Sequence, residues 1–180
     1  MADAPPDYPA AKWQPAHVTN YRTAWRTRPT LVVIHCTDGR EHAQPVAEMW
    51  STPRHGSSAH FVVGQDGTVI QSVRVKDIAW HAHAANAYSI GIEHCARTPG
   101  ELGHDDPGLP PSDAQYAASA ALVAFLCAQY GIQPSRVAIV GHSEADAATT
   151  HTRCPSGCGW DWTRYMTELT VACQKYQSVA

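Results

Sequence analysis

Two short apolar segments, each leading into a histidine, constrain the fold of this chain more than any other feature. Residues 31–34 lead directly into His35, and residues 137–140 lead through a glycine into His142. Short apolar runs of this kind are typical of buried strands. The carboxyl ends of neighbouring strands meet at one edge of an open sheet, so we expect the two imidazoles to lie close together.

A cysteine adds a third side chain to this pair. Cys154 follows His142 after a polar loop and stands directly before a proline. The gap is too long for one helical turn, so a loop must bring the thiol back. Two imidazoles and one thiolate with a fourth position open form the ligand pattern of a catalytic zinc ion. The alternative from spacing alone is that the two histidines only satisfy hydrogen bonds in the core.

The composition of the 180 residues excludes several classes of protein. A hydrophobic fraction of 44% with 16% charged residues is typical of a globular protein. The net charge of -3, without a basic run, argues against a nucleic-acid partner. No apolar stretch approaches the ~20 residues of a membrane span, so we predict no membrane insertion. We expect a monomer.

Alternating patterns and turn residues predict one α/β domain. Residues 1–29, rich in proline, are interpreted as an N-terminal arm that packs its aromatic rings on the body, and residues 30–180 as the domain itself. The rings of the arm belong to Tyr8, Trp13, Tyr21 and Trp25. The predicted elements are a strand (30–35), a helix (43–50), a hairpin (57–63 and 68–73), a strand (89–95), a helix (112–130), a strand (137–140) and a helix (160–173). This order predicts a mixed central sheet with helices on both faces.

The strand at residues 89–95 carries a carboxylate near its end. Its alternation places Ile90 and Ile92 on one face and Gly91 and Glu93 on the other. A glutamate on a strand is usually a solvated side chain. Here the opposite face is apolar, so we expect Glu93 to point into the crevice that holds the two histidines.

Several stretches together resemble the type-2 N-acetylmuramoyl-L-alanine amidases, a family of bacterial amidases, phage endolysins and animal peptidoglycan recognition proteins. In the family's order they are residues 32–37, 58–67, 79–82, 86 with 89–93, 140–142, and 152–155 with 161–162. The resemblance implies the amidase fold, with peptidoglycan or muropeptides as partner. It also implies a location outside the cell or in its envelope, reached by secretion or by lysis. The first residues lack a signal-peptide pattern.

The resemblance implies a role for each matched residue. His35, His142 and Cys154 would bind Zn²⁺, and Glu93 would take a proton from the attacking water. The implied reaction is hydrolysis of the amide between the muramic acid lactyl group and the L-Ala of the stem peptide. Thr152 would donate a hydrogen bond to the oxyanion.

Three further residues complete the predicted site. His81 would help Thr152 at the oxyanion or orient a ligand, with a purely structural histidine as the alternative. Trp80 would stack on sugar and Asn86 would bond peptide carbonyls, unless they only pack the core and cap a loop.

The sequence departs from the family at three positions, of which Cys36, after the first ligand, is expected only to pack. Endolysins have a tyrosine where this chain has Ala59, so no tyrosine can act there. Many members have a lysine where this chain has Thr152, whose hydroxyl donates a hydrogen bond but brings no charge. Oxyanion stabilisation would then rest more on the metal.

Two rival functions use the same residues differently. One is a recognition module that binds muramyl peptide without cleaving it. The other is a cysteine peptidase with Cys36 or Cys95 as its nucleophile. The complete set of predicted zinc ligands favours the amidase over the recognition module, and inhibition by a chelator but not by iodoacetamide would separate it from the peptidase.

Overall fold

The computed structural model describes residues 4–23 and 28–177. Within them, the strands are β1 (Lys12–Trp13), β2 (Tyr21–Arg22), β3 (Leu31–Cys36), β4 (Phe61–Val63), β5 (Val69–Gln71), β6 (Ile78–Ala79), β7 (Ser89–His94) and β8 (Ile139–Gly141). The α-helices are α1 (Ala43–Ser51), α2 (Asp113–Tyr130), α3 (His142–Ala145) and α4 (Trp162–Gln177). Short 3-10 turns span Val18–Asn20, His83–Ala87 and Ser156–Cys158.

The central sheet is mixed, as the sequence predicts. Its strand order is β1-β5-β4-β7-β3-β8, and β2 pairs with β6 in a separate two-stranded sheet. Strand β3 runs parallel to both β7 and β8, whereas β4 and β5 form the predicted antiparallel hairpin. In this register His35 lies opposite Glu93 on the neighbouring strand. The central strands therefore bring two predicted site residues together before any loop is considered.

Helices cover both faces of the central sheet, which confirms the predicted architecture. Helices α2 and α4 pack together over one face, where Ile90 and Ile92 are fully buried. Helix α1 covers the other face with Val46 and Trp50. The same alternation turns Glu93 away from the core that α2 and α4 form, because successive residues of a strand face opposite sides.

Helix α2 begins and ends where its capping residues predict. The hydroxyl of Ser112 accepts a hydrogen bond from the backbone N–H of Gln115, at 3.0 Å. Gly131 ends the helix in the left-handed conformation, with φ of 60°. A hydroxyl on the residue before a helix and a glycine on the residue after it help to satisfy the backbone groups that a helix leaves unpaired at its ends.

Two of the differences between the structure and the predicted elements have a local cause. Residues 78–83, which lie outside the predicted elements, contain β6 and the first residue of a 3-10 turn, because β6 pairs with β2 of the arm. Strand β8 begins at Ile139, two residues later than predicted. Val137 is 85% exposed, since the backbone N–H of Ala138 closes a turn onto the carbonyl of Ser135.

The described part of the arm joins the sheets through its backbone. Strand β1 pairs with β5 at the edge of the central sheet, and the ring of Tyr8 packs on Phe125 with centroids 5.2 Å apart. Trp25 lies outside the described residues. The division into an arm and a domain stays a prediction. Among the described helices, none is long and apolar enough to cross a membrane.

Candidate metal centre

The three residues predicted as metal ligands lie together. His35 is near the end of β3, His142 is the first residue of α3 directly after β8, and Cys154 comes from the loop that follows. One ligand atom from each lies within 4.8 Å of the other two, and all three side chains are buried. This cluster is a candidate site for a metal ion with nitrogen and sulfur ligands.

Three local features hold the cysteine against the strands. A side chain at Gly141 would place its Cβ 2.7 Å from Cδ of Pro155, so only glycine lets the loop approach this closely. The backbone N–H of Ser143 donates to the carbonyl of Cys154, at 3.1 Å. The backbone N–H of Cys36 points at the Cys154 sulfur, at 3.2 Å. The thiol is therefore fixed by the backbone of β3 as well as by its own loop.

A chain of hydrogen bonds orients the ring of His35. The hydroxyl of Ser89 donates to the carbonyl of Ala85 at 2.6 Å, so its oxygen accepts from Nε2 of His81 at 3.2 Å. Nδ1 of His81 is then an acceptor, and it receives Nε2–H of His35 at 2.9 Å. This pattern leaves Nδ1 of His35 with its lone pair, as a metal ligand requires.

Gly91 makes room for this chain of hydrogen bonds. A Cβ at Gly91 would lie 2.5 Å from Cγ of His81, which is closer than real Cβ contacts come. The imidazole therefore lies directly on the backbone of β7. The His81 ring therefore leaves no space for a side chain at Gly91, and a larger residue there would displace His81.

Burial sets the protonation of the candidate ligands. Burial, together with the neighbouring His81 and His142 rings, holds the pKa of His35 well below its ordinary value. Burial also lowers the pKa of His142. Both imidazoles are therefore neutral at neutral pH and can offer lone pairs. Burial, reinforced by the negative charge of Glu93, raises the pKa of the Cys154 thiol, so that group holds its proton until a cation displaces it.

Glu93 lies beside the cluster, as predicted from its strand position. Its Oε1 atom is 4.0 Å from Nδ1 of His35, and its side chain is 20% exposed. Its Oε2 atom is buried without a hydrogen-bond partner among the described residues. Burial, and to a smaller extent the charge of Asp38, raises the pKa of Glu93 to about 8. A nearby cation would lower that pKa again, because it favours the ionised carboxylate.

The cluster opens into a cleft of about 450 Å³. Trp80, which is 36% exposed, and Asn86 both line it, as do His81 and Glu93. Oδ1 of Asn86 accepts hydrogen bonds from the backbone N–H groups of His81, at 3.0 Å, and Ala82, at 2.6 Å. Asn86 therefore caps its own loop, whatever else it contacts. The exposed indole of Trp80 offers an apolar wall to a ligand.

Thr152 has a different position from the other predicted residues. It is exposed, and it is not among the residues that line the cleft. The cleft-lining residues of this loop are Thr149, Thr150 and His151 instead. Sequence reasoning missed His151, because nothing in its spacing separates it from the other exposed histidines. The geometry does not favour Thr152 as the oxyanion donor.

A second histidine missed from the sequence closes the cleft on another side. Nδ1 of His83 lies 2.5 Å from Oδ2 of Asp146, which links the loop after β6 to the end of α3. The same carboxylate oxygen lies 3.7 Å from Nε2 of His142, and this nitrogen has no hydrogen-bond partner among the described residues. The paired positions 83 and 146 are distant in sequence, so no local pattern predicts them.

Residues 25–157 match the family described as N-acetylmuramoyl-L-alanine amidase. The chain belongs to this family. It is 35% identical over 127 residues to N-acetylmuramoyl-L-alanine amidase A of Achromobacter lyticus. That alignment covers 70% of this chain and 66% of the relative, so the chain spans just under two thirds of the relative's length.

Solved structures of low sequence identity have the same fold. A mutant endolysin from Bacillus subtilis is 21% identical, with a TM-score of 0.68 over 88% of this chain and 97% of the endolysin. A selenomethionine derivative of AmpD is 24% identical, with a TM-score of 0.65 over 94% of this chain and 99% of AmpD. These likenesses support the mixed sheet and its helices as a shared fold.

Proposed function

We propose that this protein is a zinc-dependent N-acetylmuramoyl-L-alanine amidase. It cleaves the amide between the lactyl group of N-acetylmuramic acid and the L-Ala of the peptidoglycan stem. One observation carries the proposal: the three candidate ligands and a partly buried carboxylate share one open cleft. Family membership supports the same reaction. We place its action outside the cell or in the envelope, where peptidoglycan lies.

The ligand set fits zinc. Neutral imidazoles and a thiol are the donors that Zn²⁺ prefers, and three of them leave a position open for substrate or water. His35, His142 and Cys154 would hold the ion, and Cys154 would lose its proton on binding. When bound, zinc supplies a Lewis acid that polarises a carbonyl and makes water more acidic.

Glu93 is the proposed general base. Its carboxylate faces the cleft beside His35, with one oxygen lacking a hydrogen-bond partner among the described residues. One oxygen of this carboxylate can therefore take a proton from the water that attacks the lactyl carbonyl carbon. The same oxygen then holds that proton and gives it to the L-Ala nitrogen as the C–N bond breaks.

His81 is proposed to position a ligand. Both of its ring nitrogens contact protein atoms, Nδ1 at His35 and Nε2 at Ser89. Donation to a substrate oxygen would break one of these hydrogen bonds. The alternative in which His81 orients His35 therefore has better support than the one in which it bonds the oxyanion.

Trp80 and Asn86 are the proposed substrate contacts. The exposed indole can stack on a sugar ring, and the side-chain nitrogen of Asn86 can bond a peptide carbonyl while its oxygen caps the loop. Both lie on the same side of the cleft as His83. This side would hold glycan and peptide beside the reacting bond.

The rival functions have less support. A recognition module has no use for a buried carboxylate beside three metal ligands. A cysteine peptidase needs a thiolate, yet burial raises the pKa of Cys95 to about 12. Cys36 also has a raised pKa, from its contact with the Cys158 thiol and from burial. Neither thiol is suited to nucleophilic attack at neutral pH.

Digestion of purified cell wall tests the proposal. Wild-type protein loaded with zinc should release soluble stem peptides that begin with L-Ala, detected by mass spectrometry. Glu93→Gln should release none, while Glu101→Gln, a change at an exposed loop residue, should match wild type. Binding of the wall without soluble product would favour the recognition module and overturn the proposal.

A further inference from the structure

The loop that carries Cys154 presents one imidazole to the cleft. His151 lines the cleft wall together with Thr149 and Thr150, whereas Thr152 does not. Among residues 4–23 and 28–177, none forms a hydrogen bond with the His151 ring. An imidazole N–H is therefore available to a molecule in the cleft. A hydrogen-bond donor left open at a reaction site is suited to bind developing negative charge.

The position of His151 is tied to two of the candidate ligands. Its ring stacks on that of His142, with centroids 5.7 Å apart and planes 25° apart. Its backbone carbonyl accepts a hydrogen bond from the N–H of Cys154, at 3.0 Å, and its own N–H donates to the Thr149 hydroxyl, at 3.1 Å. The imidazole is thus held beside the proposed metal site by local structure, although its side chain is exposed.

Other polar groups of the cleft are engaged elsewhere. His81 hydrogen-bonds His35 and Ser89, and Nδ1 of His83 lies against Asp146. Glu93 is an acceptor when it acts as a base, so it cannot stabilise an oxyanion while it is ionised. His151 combines a hydrogen-bond donor in the cleft wall with a ring that stacks on a candidate ligand.

We propose that His151 donates an imidazole N–H hydrogen bond to the oxyanion of the tetrahedral intermediate, a catalytic contact that rests on the proposed amidase function. Water adds through its oxygen to the lactyl carbonyl carbon, and the carbonyl π electrons move onto the oxygen that His151 contacts. When the C–N bond breaks, those electrons restore the carbonyl and the proton held by Glu93 goes to the amine. A neutral imidazole can make this bond, as can a protonated one.

Kinetics of single variants test the inference. In His151→Ala, kcat should fall by about 100-fold with little change in KM, because the donor acts on the transition state and not on bound substrate. Affinity for a tetrahedral phosphinate analogue of the scissile amide should fall by a similar factor. His151→Gln, which keeps an N–H donor, should recover part of kcat. His104→Ala, a change at a fully exposed histidine, is the matched control and should match wild type.

Three measurements separate the outcomes. Zinc content should be unchanged in His151→Ala, and loss of zinc there would assign His151 a structural function and overturn the inference. Equal kcat and analogue affinity in His151→Ala and wild type would also overturn it, as would a larger loss of kcat in Thr152→Val. If wild-type protein released no stem peptide at all, the proposed function would fail and the inference with it. An active wild type with an unimpaired His151→Ala would remove the inference alone.

Discussion

The two halves of the candidate site are built differently. His35 and Glu93 lie on adjacent central strands, in register, and the backbone of the sheet fixes their separation. Cys154 and His151 lie on a loop, held by a few hydrogen bonds and by contact of Pro155 with Gly141. The difference teaches that the fold places the proposed base, whereas local packing places the proposed third ligand and the proposed oxyanion donor.

The largest expected effect on kcat comes from the strand-borne half of the site, which consists of His35 and Glu93. Glu93→Gln removes the proton acceptor but keeps the shape of the side chain, so kcat should fall by about 10³-fold. Zinc content and melting temperature should stay near those of wild type. Stem-peptide release, measured by liquid chromatography, checks the first expectation. Near wild-type release of stem peptide would show that Glu93 is not the general base.

Removal of the loop-borne ligand should act on the metal instead. Cys154→Ser should weaken zinc binding more than about 100-fold, because a hydroxyl replaces a thiolate that the ion prefers. Competition with a chromophoric chelator measures the affinity. Cys127→Ser, which changes a buried cysteine of α2, is the matched control and should keep wild-type affinity. Equal affinities in the two variants would contradict the ligand assignment.

The pH dependence of zinc binding should report the loop thiol. Burial raises the pKa of Cys154, so the metal-free protein binds one proton there at neutral pH and releases it to the solvent when zinc enters. Affinity should therefore rise by at least tenfold per pH unit above pH 7, because Glu93, whose pKa of about 8 a cation lowers, releases a further proton up to about pH 8. His35 and His142 add no slope there, because burial lowers the pKa of each. A flat profile from calorimetry would argue against a thiolate ligand.

A change of one glycine should disturb the strand-borne half without touching a ligand. Gly91→Ala forces a methyl group against the ring of His81, at a cost of about 1–3 kcal/mol in the free energy of unfolding. Gly39→Ala is the matched control, since the nearest atom to a Cβ there is an ordinary 3.7 Å away. Urea denaturation of the two variants should differ by this amount. Equal stabilities would mean that His81 moves without cost.

The smallest expected effect concerns the chain of hydrogen bonds behind His35. Ser89→Ala removes the acceptor for Nε2 of His81, so the tautomer of His35 is less firmly fixed. Zinc affinity should fall by about 10-fold, as changes behind metal ligands usually do. Ser57→Ala, at an exposed cleft-lining serine, should leave the affinity unchanged. A loss equal to that of Cys154→Ser would mean that the tautomer of His35 matters as much to zinc binding as the thiolate of Cys154.

The sequence predicts the strand-borne half well, for a physical reason. A two-residue period fixes which side chains share a face, and parallel strands then bring His35 and Glu93 to the same end of the sheet. The apolar runs and the caps of α2 likewise predict the architecture. Small errors occur where pairing is not local, as in β6, which becomes a strand because β2 of the arm pairs with it.

The loop-borne half of the site, which consists of Cys154 and His151, could be predicted only in outline. The proline and the preceding cysteine indicate that a thiol returns to the site, but not which neighbours come with it. The family resemblance implies Thr152 as the hydrogen-bond donor to the oxyanion, yet His151 and not Thr152 lines the cleft. This turn depends on the Thr149 hydroxyl and on the hydrogen bond from Cys154 to His151, which no periodic pattern reveals.

Zinc K-edge X-ray absorption of the metal-loaded protein tests the central claim most directly. The account predicts one sulfur scatterer at about 2.3 Å and two imidazole nitrogens at about 2.0–2.1 Å, with a lighter atom in the open position. The sulfur shell should disappear in Cys154→Ser and persist in Cys127→Ser. A wild-type spectrum without sulfur, or with only one imidazole, would contradict the convergence of His35, His142 and Cys154 on a single ion.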